Sequence, residues 1–71
     1  MSEIGLRAAR AIREMAAEYD TTVKFELECL NLKQCQLFHY EHQEFDPSAA
    51  ALAKMARNGY DVVYILTGER K

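Results

Sequence analysis

The sequence predicts an all-α fold of four to five short helices, and three observations carry that expectation. Ile4, Ala8, Ile12, Met15 and Tyr19 recur at helical spacing and form one apolar stripe. The stretch from Asp46 to Gly59 holds both a start and a stop signal for a helix. Asp46 can cap it, Pro47 suits the first helical position, and Asn58-Gly59 suits a left-handed C-terminal cap. Between these two segments, polar breaks at Asp20-Thr21-Thr22 and at Asn31 cut the chain into pieces of helical length. The 71 residues, positions 1–71, are expected to form a single domain with a small core, which dimerisation would help to stabilise.

The first helix is expected over about residues 2–19, with Ser2 as its cap. Arg7, Arg10 and Arg13 lie off the apolar stripe. They read either as a solvated face balanced by Glu3, Glu14 and Glu18 or as cations in reach of a phosphate. The break at residues 20–22 offers N-cap side chains for a second helix over about residues 23–30. Val23, Leu27 and Leu30 fall on one of its faces, and Phe25, Cys29 and Leu32 follow another, as in a helix wedged between others. Its β-branched and aromatic content also permits a strand.

Asn31 tolerates a left-handed backbone and can turn the chain without glycine. A third helix is then expected over about residues 33–42. Leu32, Leu37 and Tyr40 face inward and Phe45 folds back after it, while Lys33, Gln34, Gln36, Phe38 and His39 lie outward or at the edge. The polar residues 41–46 lead into the fourth helix, which packs through Leu52, Met55 and Ala56. Residues 62–66, Val-Val-Tyr-Ile-Leu, are open by propensity. They suit a short strand, or a helical turn capped by Asp61 and closed by Thr67-Gly68.

Hydrophobic residues make up 49% and charged residues 28%, ordinary values for a folded globular chain. The formal net charge of -2 does not advertise nucleic acid or an anionic membrane. With no secretory leader and no apolar run of membrane-spanning length, a cytoplasmic location is expected. Cys29 and Cys35 are then expected to be reduced and to sit as small core residues.

The three glycines are too far apart for a phosphate loop, and Glu14 with Glu18 and Glu41 with Glu44 read as surface charge. A chain of 8.2 kDa leaves little room for a water-excluding pocket, so no enzyme is expected. Cys35, His39 and His42 would share one helical face and are ligand types that zinc uses. A structural site takes four ligands, however, and no Cys-x-x-Cys pair is present, so neither metal nor other cofactor is expected.

The order of elements can now be compared with known domains. A helix, a short helix, a turn and an outward polar helix are followed by Tyr40-Glu41, a polar loop, Pro47-Ser48 and a further helix. This arrangement resembles the Cro/XRE-type (lambda-repressor-like) helix-turn-helix domains, many of which end the third helix in an aromatic-Glu pair and begin the fourth with Pro-Ser. The ending Gly59-Tyr60-Asp61-Val62-Val63-Tyr64-Ile65-Leu66-Thr67-Gly68 resembles the closing signature of a phage-associated subgroup that adds a short final helix. The resemblance thus implies a helix over residues 62–66.

What the resemblance further implies is a transcriptional regulator, such as a repressor, that binds a double-stranded DNA operator as a homodimer. Lys33, Gln34, Gln36 and Phe38 would contact bases, since Gln pairs with adenine, Lys with guanine, and an aromatic ring can touch a thymine methyl. Thr22, Lys24 and His39 would hold phosphates. From the residues alone, Tyr60, Val62, Val63, Tyr64, Ile65 and Leu66 are more apolar surface than one short element can hide on one side. They would cover the core, or part of the patch, with Tyr60, Val62, Tyr64 and Ile65 as its contacts, would pair with its twin in a dimer, or both.

The chain departs from the family pattern at Val23, where Gln is usual. It departs again at Glu26 or Leu27, where a small residue is usual, and at Asn31, where Gly is usual. Between Thr22 and His42, Lys24 and Lys33 are outnumbered by Glu26, Glu28 and Glu41. That acidic balance and an outward Phe38 motivate a rival expectation. In it, a degenerate helix-turn-helix module binds a protein partner, as an antirepressor or accessory subunit does.

Overall fold

The polar breaks of the sequence become the turns of the structure. In a computed structural model that describes residues 3–70, the chain forms α1 (Ile4–Glu18), α2 (Val23–Cys29), α3 (Gln34–Glu41), α4 (Ala49–Arg57) and α5 (Val62–Thr67), and no strand among the described residues. Ser2, the expected cap of the first helix, lies outside the described residues. Three later helices start on side-chain caps. The Thr22 hydroxyl accepts from the Phe25 N–H at 3.0 Å, the Ser48 hydroxyl from the Ala51 N–H at 3.1 Å, and the Asp61 carboxylate from the Tyr64 N–H at 3.0 Å.

The fourth helix therefore begins two residues later than its sequence signal. Ser48, not Asp46, is the cap, and Pro47 is buried just ahead of it rather than occupying the first helical position. The backbone stays extended through Ser48, whose ψ is 164°. Residues 62–66, open by propensity, are helical. The Asp61 cap and the burial of Tyr64 and Ile65 override their β-branched content.

The first four helices stop in the same way. A residue with positive φ follows each C-cap: Asp20 at 54°, Asn31 at 56°, Gln43 at 56° and Gly59 at 86°. The next N–H then reaches back five residues, from Thr21 to Ala16, Leu32 to Leu27, Glu44 to His39 and Tyr60 to Met55, at 2.8 to 3.0 Å. These are Schellman closures, which satisfy carbonyls that a helix end leaves open.

α1 is the central element and packs against α2, α3 and α5, while α4 leans on α5. Its inner face is built of small side chains, Gly5, Ala8, Ala9 and Ala16, around Ile12. Gly5 is needed for close approach. A Cβ there would stand 2.9 Å from the Phe45 carbonyl oxygen and 3.2 Å from that of Tyr40. Leu27, Leu30, Leu37, Tyr40, Met55, Tyr60, Tyr64 and Ile65 complete the core.

Several expected core positions are on the surface. Tyr19 is 65% exposed, because the chain leaves α1 there to turn at Asp20. Phe25, Cys29 and Cys35 are exposed, because α2 and α3 each bury one side only and these residues lie off it. Ala56 is likewise exposed, leaving Met55 and the half-buried Leu52 as the packing side of α4.

The arginines of α1 form neither a solvated row nor a free cationic edge. Arg7 donates through Nε to the Ile65 carbonyl at 2.9 Å and through Nη2 to that of Leu66 at 3.2 Å, which ties down the last turn of α5. It also meets the expected Glu3 at 3.4 Å. Arg10 donates to the Tyr64 hydroxyl at 3.4 Å, and Arg13 pairs with Glu41 at 2.7 Å across α1 and α3. Glu14, expected to balance this row, is instead paired with Arg70 at 2.6 Å. No helix among the described residues is long and apolar enough to cross a membrane.

Candidate nucleic-acid interface

α2 with its Thr22 cap, the turn at residues 30–33 and α3 hold the residues that the resemblance assigned to base and phosphate contacts. The turn is shaped by Asn31, whose left-handed φ of 56° supplies the conformation that glycine would otherwise provide. Leu37 and Tyr40 anchor the inner side of α3, and Leu32 packs partly against the core. Phe45 folds back as expected and sets its ring edge-on to Tyr40, with centroids 5.6 Å apart, although much of it stays exposed.

The two glutamines do not share a face. Two positions apart on an α-helix means about 200° around its axis. Gln34 is exposed and its side chain is unpartnered among the described residues, whereas Gln36 is half-buried. The Gln36 Oε1 accepts from the Lys33 N–H at 2.9 Å, so this side chain closes the first turn of α3. It also faces the groove between α3 and α4. It is therefore not the outward side chain expected, but a half-buried one that caps its own helix. One amide NH₂ remains at the groove edge.

Lys33 is exposed at the helix start. Phe38 is 52% exposed and stacks on His42, with centroids 4.0 Å apart. The expected phosphate holders differ among themselves. Lys24 is exposed with no carboxylate in ion-pair range among the described residues, and Thr22 carries the α2 cap. The His39 ring is engaged by Glu44 at 3.1 Å and tilts against Phe45.

The acidic balance of this segment is smaller at its surface than in its sequence. Glu41 is tied to Arg13. Glu26 is buried between α2 and the chain entering α5. Its Oε1 accepts from the Tyr60 hydroxyl at 2.9 Å, and its Oε2 accepts from the Thr21 hydroxyl at 2.9 Å. Both carboxylate oxygens are thus satisfied, and no buried side-chain polar atom among the described residues lacks a partner. Burial, the hydrogen bond to Glu26 and the charge of Glu26 together push the Tyr60 hydroxyl well above the usual phenol range. Glu28 is then the exposed carboxylate left opposite Lys24 and Lys33.

The residues expected at a dimer contact are mostly inside. Tyr60, Tyr64 and Ile65 are core side chains, and Val62 packs against them. The apolar residues that α5 presents to solvent are Val63, 57% exposed, and Leu66, 45% exposed. Sequence reasoning counted both in the final apolar patch but assigned the contact to their neighbours, because the helical register of so short an element cannot be read without knowing which side the core takes. Cys35, His39 and His42 do not converge, and no three His, Cys, Asp or Glu side chains among the described residues are placed to hold a metal ion.

No protein-family model matches this chain, and neither the curated proteins nor the solved structures compared with it give a match.

Proposed function

We propose that this chain is a sequence-specific DNA-binding regulator of the Cro/XRE helix-turn-helix type, acting as a homodimer on a two-fold symmetric operator. The observation that carries this reading is the α2–turn–α3 unit. Its outer helix is anchored by Leu37 and Tyr40 and opens with an exposed Lys33 and Gln34. A recognition helix reads base edges with residues near its N-terminal end, and these two are of the type that pairs with guanine and adenine. Phe38 would meet a thymine methyl one turn further on. Lys24 would hold a phosphate, and so would the Thr22 hydroxyl through its proton. In a dimer, Val63 and Leu66 of α5 would meet their twins, which would set two α3 helices about 34 Å apart. Occupying a promoter in this way would repress it.

Selection from a randomised duplex pool at low salt tests the proposal. The expected result is an enriched palindrome whose half-sites sit about 10 base pairs apart. Gln34→Ala should relax the preference at one position of each half-site, a discrimination of about 1–3 kcal/mol per bidentate pair. Enrichment of no sequence above the starting pool would overturn it.

A second reading is favoured by one observation, the half-exposed Phe38–His42 stack on α3 with Phe25 exposed on α2. In this reading the same helix docks on a protein. A stable heterologous complex lost on Phe38→Ala, with no duplex enriched, would be its signature.

A further inference from the structure

The cations that the sequence offered to a phosphate, Arg7, Arg10 and Arg13, are spent on ties within the fold, and Arg70 is held by Glu14 and stacked 3.9 Å above the Tyr64 ring. Lys54 and Arg57 of α4 are different. Neither side chain has a hydrogen bond or ion pair among the described residues. They stand three positions apart, so they share one flank of α4. That flank borders a groove of about 580 Å³ whose opposite wall includes Leu30, Asn31, Leu32 and Gln36. The groove thus runs from α4 to the turn before α3 and to the first turn of α3 itself.

From this juxtaposition we infer that Lys54 and Arg57 form a phosphate-binding clamp for the backbone of duplex DNA engaged by α3, with the Gln36 amide at its edge. The inference rests on the regulator reading above and extends its contact surface to a helix that reading does not use. A polyanion passing over Lys33 has its backbone beside the groove, because Gln36, three positions on and hydrogen-bonded to the Lys33 N–H, lines it. The α2–α3 unit supplies Lys24 and Lys33 against Glu28, which is too little charge to hold DNA at physiological salt. Two further cations on α4 supply what is missing without changing which bases are read. Asp46 also lines the groove and opposes the clamp, the one carboxylate to do so among the described residues.

The test uses the full chain and the duplex recovered from the randomised selection. Lys54→Gln and Arg57→Gln, singly and together, should weaken binding to that duplex and to a scrambled one by the same factor. Each should reduce the slope of log affinity against log salt by about one. Because neither side chain has a partner, the melting temperature should stay unchanged, and this guards against a folding artefact. A methylphosphonate at the contacted position should weaken the unmodified protein several-fold and the Arg57→Gln variant hardly at all. Asp46→Asn should tighten both duplexes.

If duplex binding and sequence preference persist while the salt slope is unmoved by the double variant, the clamp is refuted and the regulator reading stands. If no duplex is enriched at all, both fall. If poly-glutamate competes with the duplex charge for charge, the groove takes an acidic polypeptide and the clamp is refuted.

Discussion

Gly5 shows how a single residue can be judged only against what surrounds it. In an open helix interior, replacing glycine by alanine stabilises by about 1 kcal/mol. Here the new methyl would meet backbone carbonyls of Tyr40 and Phe45, which cannot swing aside as a side-chain tip can. Gly5→Ala is therefore expected to destabilise, by about 1–3 kcal/mol, and thermal unfolding should show a lower midpoint. A higher midpoint would mean the α1–α3 approach is looser than the structure has it.

Tyr60 makes a second prediction at the same scale. Its hydroxyl titrates higher in the fold than in the unfolded chain, where a phenol loses its proton near pH 10. The stabilisation is whole below that pH and is lost as pH rises above it, because only the unfolded chain then releases its proton readily. Tyr40, also raised by burial, adds in the same direction. At Tyr64 burial pushes upward, but the guanidiniums of Arg70 and Arg10 outweigh it and hold the hydroxyl below its ordinary value. Urea midpoints of Tyr60→Phe should be lower at neutral pH, since one oxygen of the buried Glu26 loses its donor, at about 1–3 kcal/mol. They should also decline less steeply between pH 9 and 11. An equally steep decline would sink the assignment to Tyr60.

Among the elements, the four Schellman closures differ in how well their residues suit them. Gly59 adopts positive φ without steric penalty, and Asn31 and Asp20 tolerate it. Gln43 has neither advantage, yet its φ of 56° is required for the Glu44 N–H to reach the His39 carbonyl at 2.9 Å. Gln43→Gly is expected to stabilise the protein by about 1 kcal/mol, measurable as a raised denaturation midpoint. The Asn31 and Gly59 stops were legible in the sequence because their residue types announce a left-handed turn. Those at Asp20 and Gln43 were less so, since the conformation there is imposed by where the next element must go. The shift of the α4 start from Asp46 to Ser48 has a similar origin. Both residues can cap, and the burial of Pro47 decides between them.

For the whole molecule, the arrangement around α1 determines which apolar side chains are left over. With Tyr60, Tyr64 and Ile65 inside, a dimer through α5 has Val63 and Leu66 to work with. On the proposed dimer, the unmodified chain is expected to associate in sedimentation and the double variant Val63→Asp, Leu66→Asp to stay monomeric at the same concentration. Ile65→Asp, by contrast, should unfold, because it places a charge in the fully buried core with no prepared partner. If the double variant associates as before, α5 is not the contact.

By itself the sequence marked the first, third and fourth helices and their rough limits, and it offered Thr22 and Asp61 as caps, while it left residues 23–30 and 62–66 open between helix and strand. Caps depend on side chains acting on backbone within a few positions, and such signals are written locally. The tertiary structure alone decided that Arg7 closes α5, that Arg13 answers Glu41, that Glu26 lies buried under Tyr60, and that Gln34 and Gln36 face different surroundings. The first three contacts join residues 28 to 59 positions apart. The last depends on which side of α3 meets the core. Periodicity can show that a helix has an apolar side, but the identity of the polar partners across it emerges only when the helices pack.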